Sequence, residues 1–382
     1  MTVAPAHRPR AAILRDEFPV FHRARYLNTC SLGPLSRRSR ERVNEYLDLW
    51  ESRGSSAWYD VWWAALAELR ERYARLVGSA GRDVALLPNI SSALTAVAES
   101  LDYRRRPRVV VTSLDFPTVA YQWLAKRGEG VELVMVESPD GIEVPLERIE
   151  AAVDGRTALV ATSHVFFASG TIQDVRAIAG IAHRHGALCL VDGYHATGQL
   201  PVDVPELDVD FYCSGGLKWL LGGSGIAFLF ARPELQPLLM PRATGWFAHR
   251  DQFRFDPRAM EPHGDARRFE AGTPAMGAVY AQLGALDVLE RVGVEDARAT
   301  TRDLAEDLIA LARAAGLEPR VAPDPKQRSG IVALASDDPP GDVRRLAAAG
   351  VIADARPGLV RASPFFYNER EDLHALVELL KP

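Results

Sequence analysis

Residues 188–195 read Leu-Cys-Leu-Val-Asp-Gly-Tyr-His, and residues 211–218 read Phe-Tyr-Cys-Ser-Gly-Gly-Leu-Lys. Each is a short apolar run halted by glycine and polar residues, the pattern of a buried strand that ends in a turn. Outward from this pair the same unit recurs. Arg108 to Thr112, Val131 to Val136, Ala158 to Ser163 and Ile226 to Phe230 are further strand candidates. Pro117 to Arg127, Leu146 to Val153 and Ile172 to His185 carry the helical period between them. This alternation predicts βαβ units and a doubly wound, mainly parallel α/β sheet.

Upstream, Ser39 to Glu51 and Val61 to Leu76 are amphipathic helices. The second sets Trp62, Trp63, Leu66, Leu69 and Tyr73 at helical spacing, which reads as core and not as chemistry. After Pro233 the chain turns loop-rich through Gly245, Trp246 and His249. Helices over Pro274 to Arg291, Thr301 to Ala315, Gly341 to Ala348 and Arg370 to Leu380, with a strand over Gly330 to Ala335, describe a smaller α+β unit.

Composition narrows the function classes. The 382 residues are 47% hydrophobic and 25% charged, which fits a globular chain and excludes fibrous or wholly disordered readings. A net charge of -5 argues against a nucleic-acid partner or an anionic membrane surface. No apolar run has the length of a membrane span, and no apolar signal core follows Arg8 and Arg10, so a cytoplasmic protein is expected. Cys30, Cys189 and Cys213 are too few for a disulfide framework or a zinc site, and no metal site is predicted. Only four of the 45 basic residues are lysines. Lys218 stands among them in an apolar setting, before Trp219, Leu220 and Leu221, where an amine able to lose its proton has a use that guanidinium lacks.

Ligands of open α/β sheets bind at the carboxyl ends of the strands, which directs attention to four places. Asn89-Ile90-Ser91-Ser92 runs into the helical stretch Leu94 to Leu101 and offers either a capped helix or an anion site made of free amides. Asp192, with Gly193, Tyr194 and His195, puts a carboxylate at a buried strand end, where it needs a cation or a donor. Ser214 to Lys218 follows another strand; Lys218 reads as a desolvated amine able to form a Schiff base, or as a snorkelling surface lysine. The glycines at 222, 223 and 225 also admit a nucleotide-binding reading. Arg361, followed by Ala362 to Asn368, is either a buried planar fork for a carboxylate or half of a structural ion pair.

Taken in order, these motifs resemble the class V aminotransferase family of fold-type I pyridoxal-phosphate enzymes, and in particular its kynureninase-like and isopenicillin N epimerase-like branch. Tyr26 to Pro34, Asp115 to Thr118, Ser163 to Val165, Val191 to His195, Lys218 to Gly222, Gly245 to Phe247, Arg268 to Pro274 and Arg361 to Asn368 carry the resemblance along nearly the whole chain. It implies a large domain whose mainly parallel seven-stranded sheet is sandwiched by helices, beside a smaller α+β domain. The corresponding division is residues 1–12 as a disordered segment or arm, 13–50 packing with the small domain, 51–250 as the large coenzyme-binding domain, and 251–382 as the small domain.

The resemblance further implies pyridoxal 5'-phosphate as cofactor and a small-molecule α-amino acid as substrate. Lys218 matches the lysine that holds the cofactor as a Schiff base and carries the proton, and Asp192 matches the acid at the pyridine nitrogen. Phe116 matches the aromatic stacked on the ring, His195 lies near the ring hydroxyl, and Ser214 belongs to the same cofactor-binding set. Ile90, Ser91 and Ser92 match the phosphate turn. Gly272 and Thr273 match a pair that reaches the neighbouring subunit's phosphate, implying a homodimer with shared sites, and Trp246 matches a residue that also approaches the cofactor. Arg361 matches the holder of the substrate α-carboxylate, and Asn28 and Ser31, with Tyr121, are candidates for its far end. Departures from the pattern bear on the reaction. Residues 353–358 hold no nucleophilic cysteine, Leu217 stands where kynureninases have tyrosine, and Val119 replaces an aspartate. The readings are transamination or kynureninase-type lyase or hydrolase chemistry; amino-acid epimerisation or C–S lysis; and, in another class, an inactive binding protein on the same fold.

Overall fold

A computed structural model describes residues 10–381, with side chains from Leu14 onward. The arm expected over 1–12 lies outside the described residues except for its last three, which open a 3-10 helix over Arg10–Glu17. The main sheet has seven strands: β1 Val84–Leu87, β2 Arg108–Thr112, β3 Glu132–Val136, β4 Thr157–Ser163, β5 Leu188–Asp192, β6 Phe211–Gly215 and β7 Ala227–Ala231. Their order is β1-β7-β6-β5-β4-β2-β3, and only β7 runs against its neighbours. The expected mainly parallel α/β sheet is present, with an unanticipated first strand at one edge.

Alternate residues of each strand feed opposite faces. Val110, Val160, Val191, Tyr212 and Phe228 pack on one side with the helices Trp63–Leu76, Val175–Arg184 and Met276–Val292. Val109, Val111, Leu190, Phe211 and Leu229 pack on the other with Ile90–Ala98 and Pro117–Leu124. Both faces are therefore dry, which is why the strands read as continuous apolar runs and not as alternation. Glycines 216 and 222 press against the long helix: a Cβ on Gly222 would sit 2.0 Å from Gln282 Oε1. Close helix packing thus accounts for this glycine without a nucleotide.

From β2 the chain goes outward to β3 and returns to β4 on the other side of β2. That reversal opens a crevice at the strands' carboxyl ends. A second, antiparallel sheet has the order β9-β10-β8, with β8 Val332–Ala335, β9 Asp354–Arg356 and β10 Leu359–Ala362. Residues Arg25 and Tyr26 pair in parallel with Val351 and Ile352, and Asn28 bridges to Ser363. This strap carries residues 28–33 from the small sheet to the crevice.

Two helical expectations shift. The stretch begun at Val61 enters through a π-turn over Trp58–Trp62 before α-helix starts at Trp63. The helix placed at Thr301 to Ala315 is the latter part of Val294–Ala314, divided from Met276–Val292 only by Gly293 at φ 83°.

Candidate active site

The crevice holds a cavity of about 320 Å³. Phe116 follows β2; Ser163 ends β4, with Val165 and Phe167 just beyond; Asp192 ends β5, with Tyr194 and His195 beyond it; and Leu217 and Lys218 follow β6. Ile90 enters from a helix N-terminus, Cys30 and Ser31 from the N-terminal strap, and Arg356 from β9. A larger cavity, about 490 Å³, is lined by Leu86, Pro88, Thr95, Phe269 and their neighbours and contains no titratable side chain. Lys218, Asp192 and His195 meet at the first.

Lys218 sits on a clamped turn. Leu221 N–H donates to the Lys218 carbonyl at 3.0 Å, Gly222 N–H to the Gly216 carbonyl at 2.8 Å, and Gly33 N–H to the Leu217 carbonyl at 2.8 Å. Leu221 takes φ 59°, a conformation that L residues with side chains adopt at a cost, so the surrounding contacts hold the turn in shape. A Cβ on Gly33 would stand 2.3 Å from the Lys218 carbonyl oxygen, so the strap needs glycine there. Lys218 Nζ lies 2.7 Å from His195 Nε2 and 4.5 Å from the Tyr194 ring centroid. Burial pushes its pKa down to about 7, and the Arg361 charge pushes in the same direction.

Asp192 Oδ1 accepts the Tyr194 N–H at 2.8 Å, while Oδ2 accepts no hydrogen bond among the described residues. Burial raises its carboxyl above the usual range, against the Tyr194 amide and the Lys218 charge, which lower it. Burial, with the charges of Lys218 and Arg361, holds His195 well below its ordinary value, so the imidazole is neutral. Its Nδ1 is buried without a partner among the described residues.

Asp115, named in the sequence only as part of a motif, ties the two strand ends together. Its Oδ2 accepts from the amide and hydroxyl of Thr112 at 2.8 and 2.9 Å, and its Oδ1 from the Thr162 hydroxyl and Ser163 amide at 3.0 and 2.6 Å. Phe116, the next residue, is thereby fixed at the head of Pro117–Leu124 with its ring centroid 5.8 Å from Lys218 Nζ. Its ring meets Phe167 edge-on at 5.3 Å between centroids.

The helix Ile90–Ala98 is capped by Asn89, whose Oδ1 accepts from both the amide and the hydroxyl of Ser92. Ser92 is thus committed to the cap and lines the larger cavity, whereas the amides of Ile90 and Ser91 donate to no described acceptor. Ser214 is buried outside the cavity lining, with its hydroxyl 2.8 Å from that of Tyr73. Trp246 lines a separate aromatic cleft with Trp58, Tyr59, Trp63, Phe253 and Thr273, and Gly272 lies beside Thr273 along the larger cavity. Asn28 stays on the strap outside the cavity lining. Arg361 is 1% exposed behind it: Nη2 donates to Asp354 Oδ2 at 2.5 Å and to Ser31 Oγ at 3.0 Å, and Nη1 donates to the Phe167 carbonyl. Arg356 and Asp354 were not singled out by the sequence, where they form a three-residue strand with no apolar signature.

The open donors and acceptors form a matched set: a free carboxylate oxygen on Asp192, two free amides at a helix N-terminus, an aromatic face on Phe116 and a proton-deficient amine on Lys218. That set fits pyridoxal 5'-phosphate, which presents a ring nitrogen, a phosphate, a planar ring and an aldehyde. No helix among the described residues is long and apolar enough to cross a membrane.

Comparison with known proteins agrees with this chemistry. Residues 35–376 match the family model described as Aminotransferase class-V. The chain is 34% identical over 369 residues to the uncharacterized aminotransferase YcbU of Bacillus subtilis (strain 168), covering 96% of each chain. It is 29% identical over 399 residues to isopenicillin N epimerase of Streptomyces clavuligerus, covering 100% of this chain and 98% of that one. Among solved structures, an apo cysteine desulfurase from Thermococcus onnurineus superposes with a TM-score of 0.87 at 21% identity, over 100% of this chain and 98% of the other. That last likeness concerns the fold alone.

Proposed function

The chain belongs to the class-V aminotransferase family of pyridoxal-phosphate enzymes, and from that premise we propose that it breaks the Cα–H bond of a free α-amino acid with Lys218 as the base. The coenzyme, when bound, supplies the electron sink that makes a Cα proton acidic. Lys218 Nζ tethers it and afterwards takes that proton, for which an amine with pKa near neutrality is suited. His195 Nε2, 2.7 Å away, accepts an N–H from the neutral amine and aims its lone pair. Asp192 pairs with the ring nitrogen, Phe116 covers the ring, and the Ile90 and Ser91 amides receive the phosphate. Arg361, kept in place by Asp354, holds the α-carboxylate, with Ser31 beside it and Asn28 further along the strap.

Transamination or kynureninase-type bond cleavage is the preferred reaction. The depressed amine of Lys218 and its imidazole neighbour form one basic centre, which can take a proton at one position and return it at the next atom. Epimerisation needs a second donor on the opposite face, and the likeness to isopenicillin N epimerase keeps it as the alternative. We also propose that the protein is a cytoplasmic homodimer in which Gly272, Thr273 and Trp246 complete the partner's site, and that residues 51–250 and 251–382 are its large and small domains.

The observation that carries the reading is the contact between Lys218 and His195 at a strand-end cavity faced by Asp192. Borohydride reduction of the holoenzyme followed by peptide mapping must place the coenzyme on Lys218; attachment elsewhere refutes the assignment. Incubation with single amino acids then separates the reactions. A 2-oxo acid without ammonia marks transamination, ammonia or a shortened amino acid marks bond cleavage, and lost optical rotation marks epimerisation.

A further inference from the structure

One face of the β9–β10 hairpin carries two arginines and a carboxylate, with Arg356 lining the cavity and Arg361 and Asp354 behind it. Asp354 and Arg361 stand directly opposite each other across the pair, and Arg356, two residues from Asp354, leaves the strand on the same side. Asp354 joins them: Oδ2 accepts from Arg361 Nη2 and from Ser31 Oγ, each at 2.5 Å, and Oδ1 accepts from Arg356 Nη1 at 2.8 Å. Burial opposes ionisation of Asp354, but the Ser31 hydrogen bond and the charges of Arg361 and Arg356 outweigh it and keep the carboxyl below its usual range.

The two guanidiniums differ in what they have left to give. Arg361 has committed donors on both Nη atoms to the protein, keeps only its enclosed Nε without a described partner, and so offers no paired edge. Arg356 lines the cavity; its Nη1 is held by Asp354 and by the Ala355 carbonyl, while Nε and Nη2 donate to no described acceptor. These two nitrogens form one edge of the planar fork, the edge that a carboxylate can engage with two parallel hydrogen bonds.

We propose that Arg356 is the second half of the receptor for the substrate carboxylate, and that Asp354 sets the receptor's charge so that it accepts one carboxylate: the substrates are monocarboxylic α-amino acids. The inference rests on reading the Lys218 cavity as an amino-acid site. Two guanidiniums and one carboxylate leave a single positive charge, which one α-carboxylate neutralises. With that charge neutralised, a second carboxylate on the substrate would add unbalanced negative charge to a crevice that also holds Asp192. Asp354 is a positioning residue: it keeps the guanidiniums at fixed spacing without touching the substrate.

Calorimetric titration of the holoenzyme with propionate and succinate, neither of which can react, tests this. The parent protein is expected to bind propionate more tightly than succinate. Arg356→Gln should weaken propionate by roughly ten- to hundredfold, the loss of a charge-assisted contact. Asp354→Asn, which adds one positive charge to the receptor, should move the propionate-to-succinate preference by about tenfold or more toward succinate. A purely structural role for Asp354 would weaken both ligands together and leave their ratio unchanged. Unaltered propionate affinity in Arg356→Gln, or an unaltered ratio in Asp354→Asn, overturns the proposal; Asp354→Ser stands in if the asparagine variant does not fold. Failure of coenzyme attachment at Lys218 would be seen separately, by borohydride mapping, and would refute the amino-acid-site reading instead.

Discussion

Lys218 Nζ and His195 Nε2 lie 2.7 Å apart, two basic nitrogens in a space where neither is easily protonated. Each is pushed down first by burial; Arg361 adds to the effect on Lys218, and Lys218 adds to that on His195. Above neutral pH the pair thus holds a free amine that donates to a neutral imidazole. The lone pair left on the amine is the nucleophile that attachment of an aldehyde requires.

The pH dependence of that attachment follows with a definite sign. Because the lysine pKa is lowered to about 7, the reactive neutral form accumulates as pH rises through 7 and is nearly complete one to two units above it. The rate of pyridoxal 5'-phosphate capture by the apoenzyme, followed by stopped-flow absorbance, should rise through neutrality and then flatten. An unshifted lysine, with a pKa of about 10.4, would give a rate still climbing at pH 9, and that result would remove the basis for Lys218 as base.

Asp192 is expected to separate binding from turnover. Asn at 192 can still accept the Tyr194 amide, so the turn after β5 should persist, but the negative charge at the open Oδ2 position is lost. Asp192→Asn should keep the coenzyme on Lys218, as read by borohydride labelling, and lose roughly 10²–10³ in kcat, the usual scale for removing one preorganised electrostatic partner of a transition state. Retention of the parent kcat would show that the ring nitrogen lies elsewhere.

Much of this centre was legible before any fold was known, and the reason is local. The runs Arg108–Thr112 and Leu188–Asp192 are bounded by polar residues and buried on both faces, so their ends coincide with the structural strands. Lys218, Asp192, His195 and Ile90 could be read because each lies next to such an end or at a helix head, whereas Phe116 was expected only from the family resemblance. Asp354 and Arg356 could not, since a three-residue strand has no periodicity and its meaning comes from pairing with Leu359–Ala362 and from Ser31, 323 positions away. The edge strand Val84–Leu87 was missed for a similar reason: four apolar residues suit a strand or a turn of helix equally. Asn89 was legible as a helix cap and is one; what the turn did not reveal is that the cap takes both the amide and the hydroxyl of Ser92, leaving Ile90 and Ser91 as the open amides.

Asp115 supplies a stability test independent of catalysis. Its carboxylate receives four hydrogen bonds, joining the end of β2 to the end of β4 in a region closed to water. Asp115→Ala leaves two buried backbone amides without an acceptor, each costing about 1–3 kcal/mol. Urea denaturation should show a loss of several kcal/mol, and Phe116, released from its anchor, should give weaker coenzyme retention. A variant as stable as the parent would mean that solvent reaches these amides.

The shared-site homodimer can be tested by complementation. Thr273 is exposed, beside the aromatic cleft that holds Trp246, with Phe255 71% exposed nearby. If it serves the partner's phosphate, Thr273→Glu sets a carboxylate against that anion and empties the partner's site while leaving its own chain's Lys218 intact. Lys218→Ala and Thr273→Glu should each be inactive alone. Unfolded together and refolded, they should recover about a quarter of the parent activity, because random pairing across a two-fold axis makes half the dimers hybrids, each with one intact site. Sedimentation must accompany this with a mass twice the 41.9 kDa of the chain. A Thr273→Glu protein that still holds coenzyme, or a mixture with no gain, would mean that each site is built from one chain.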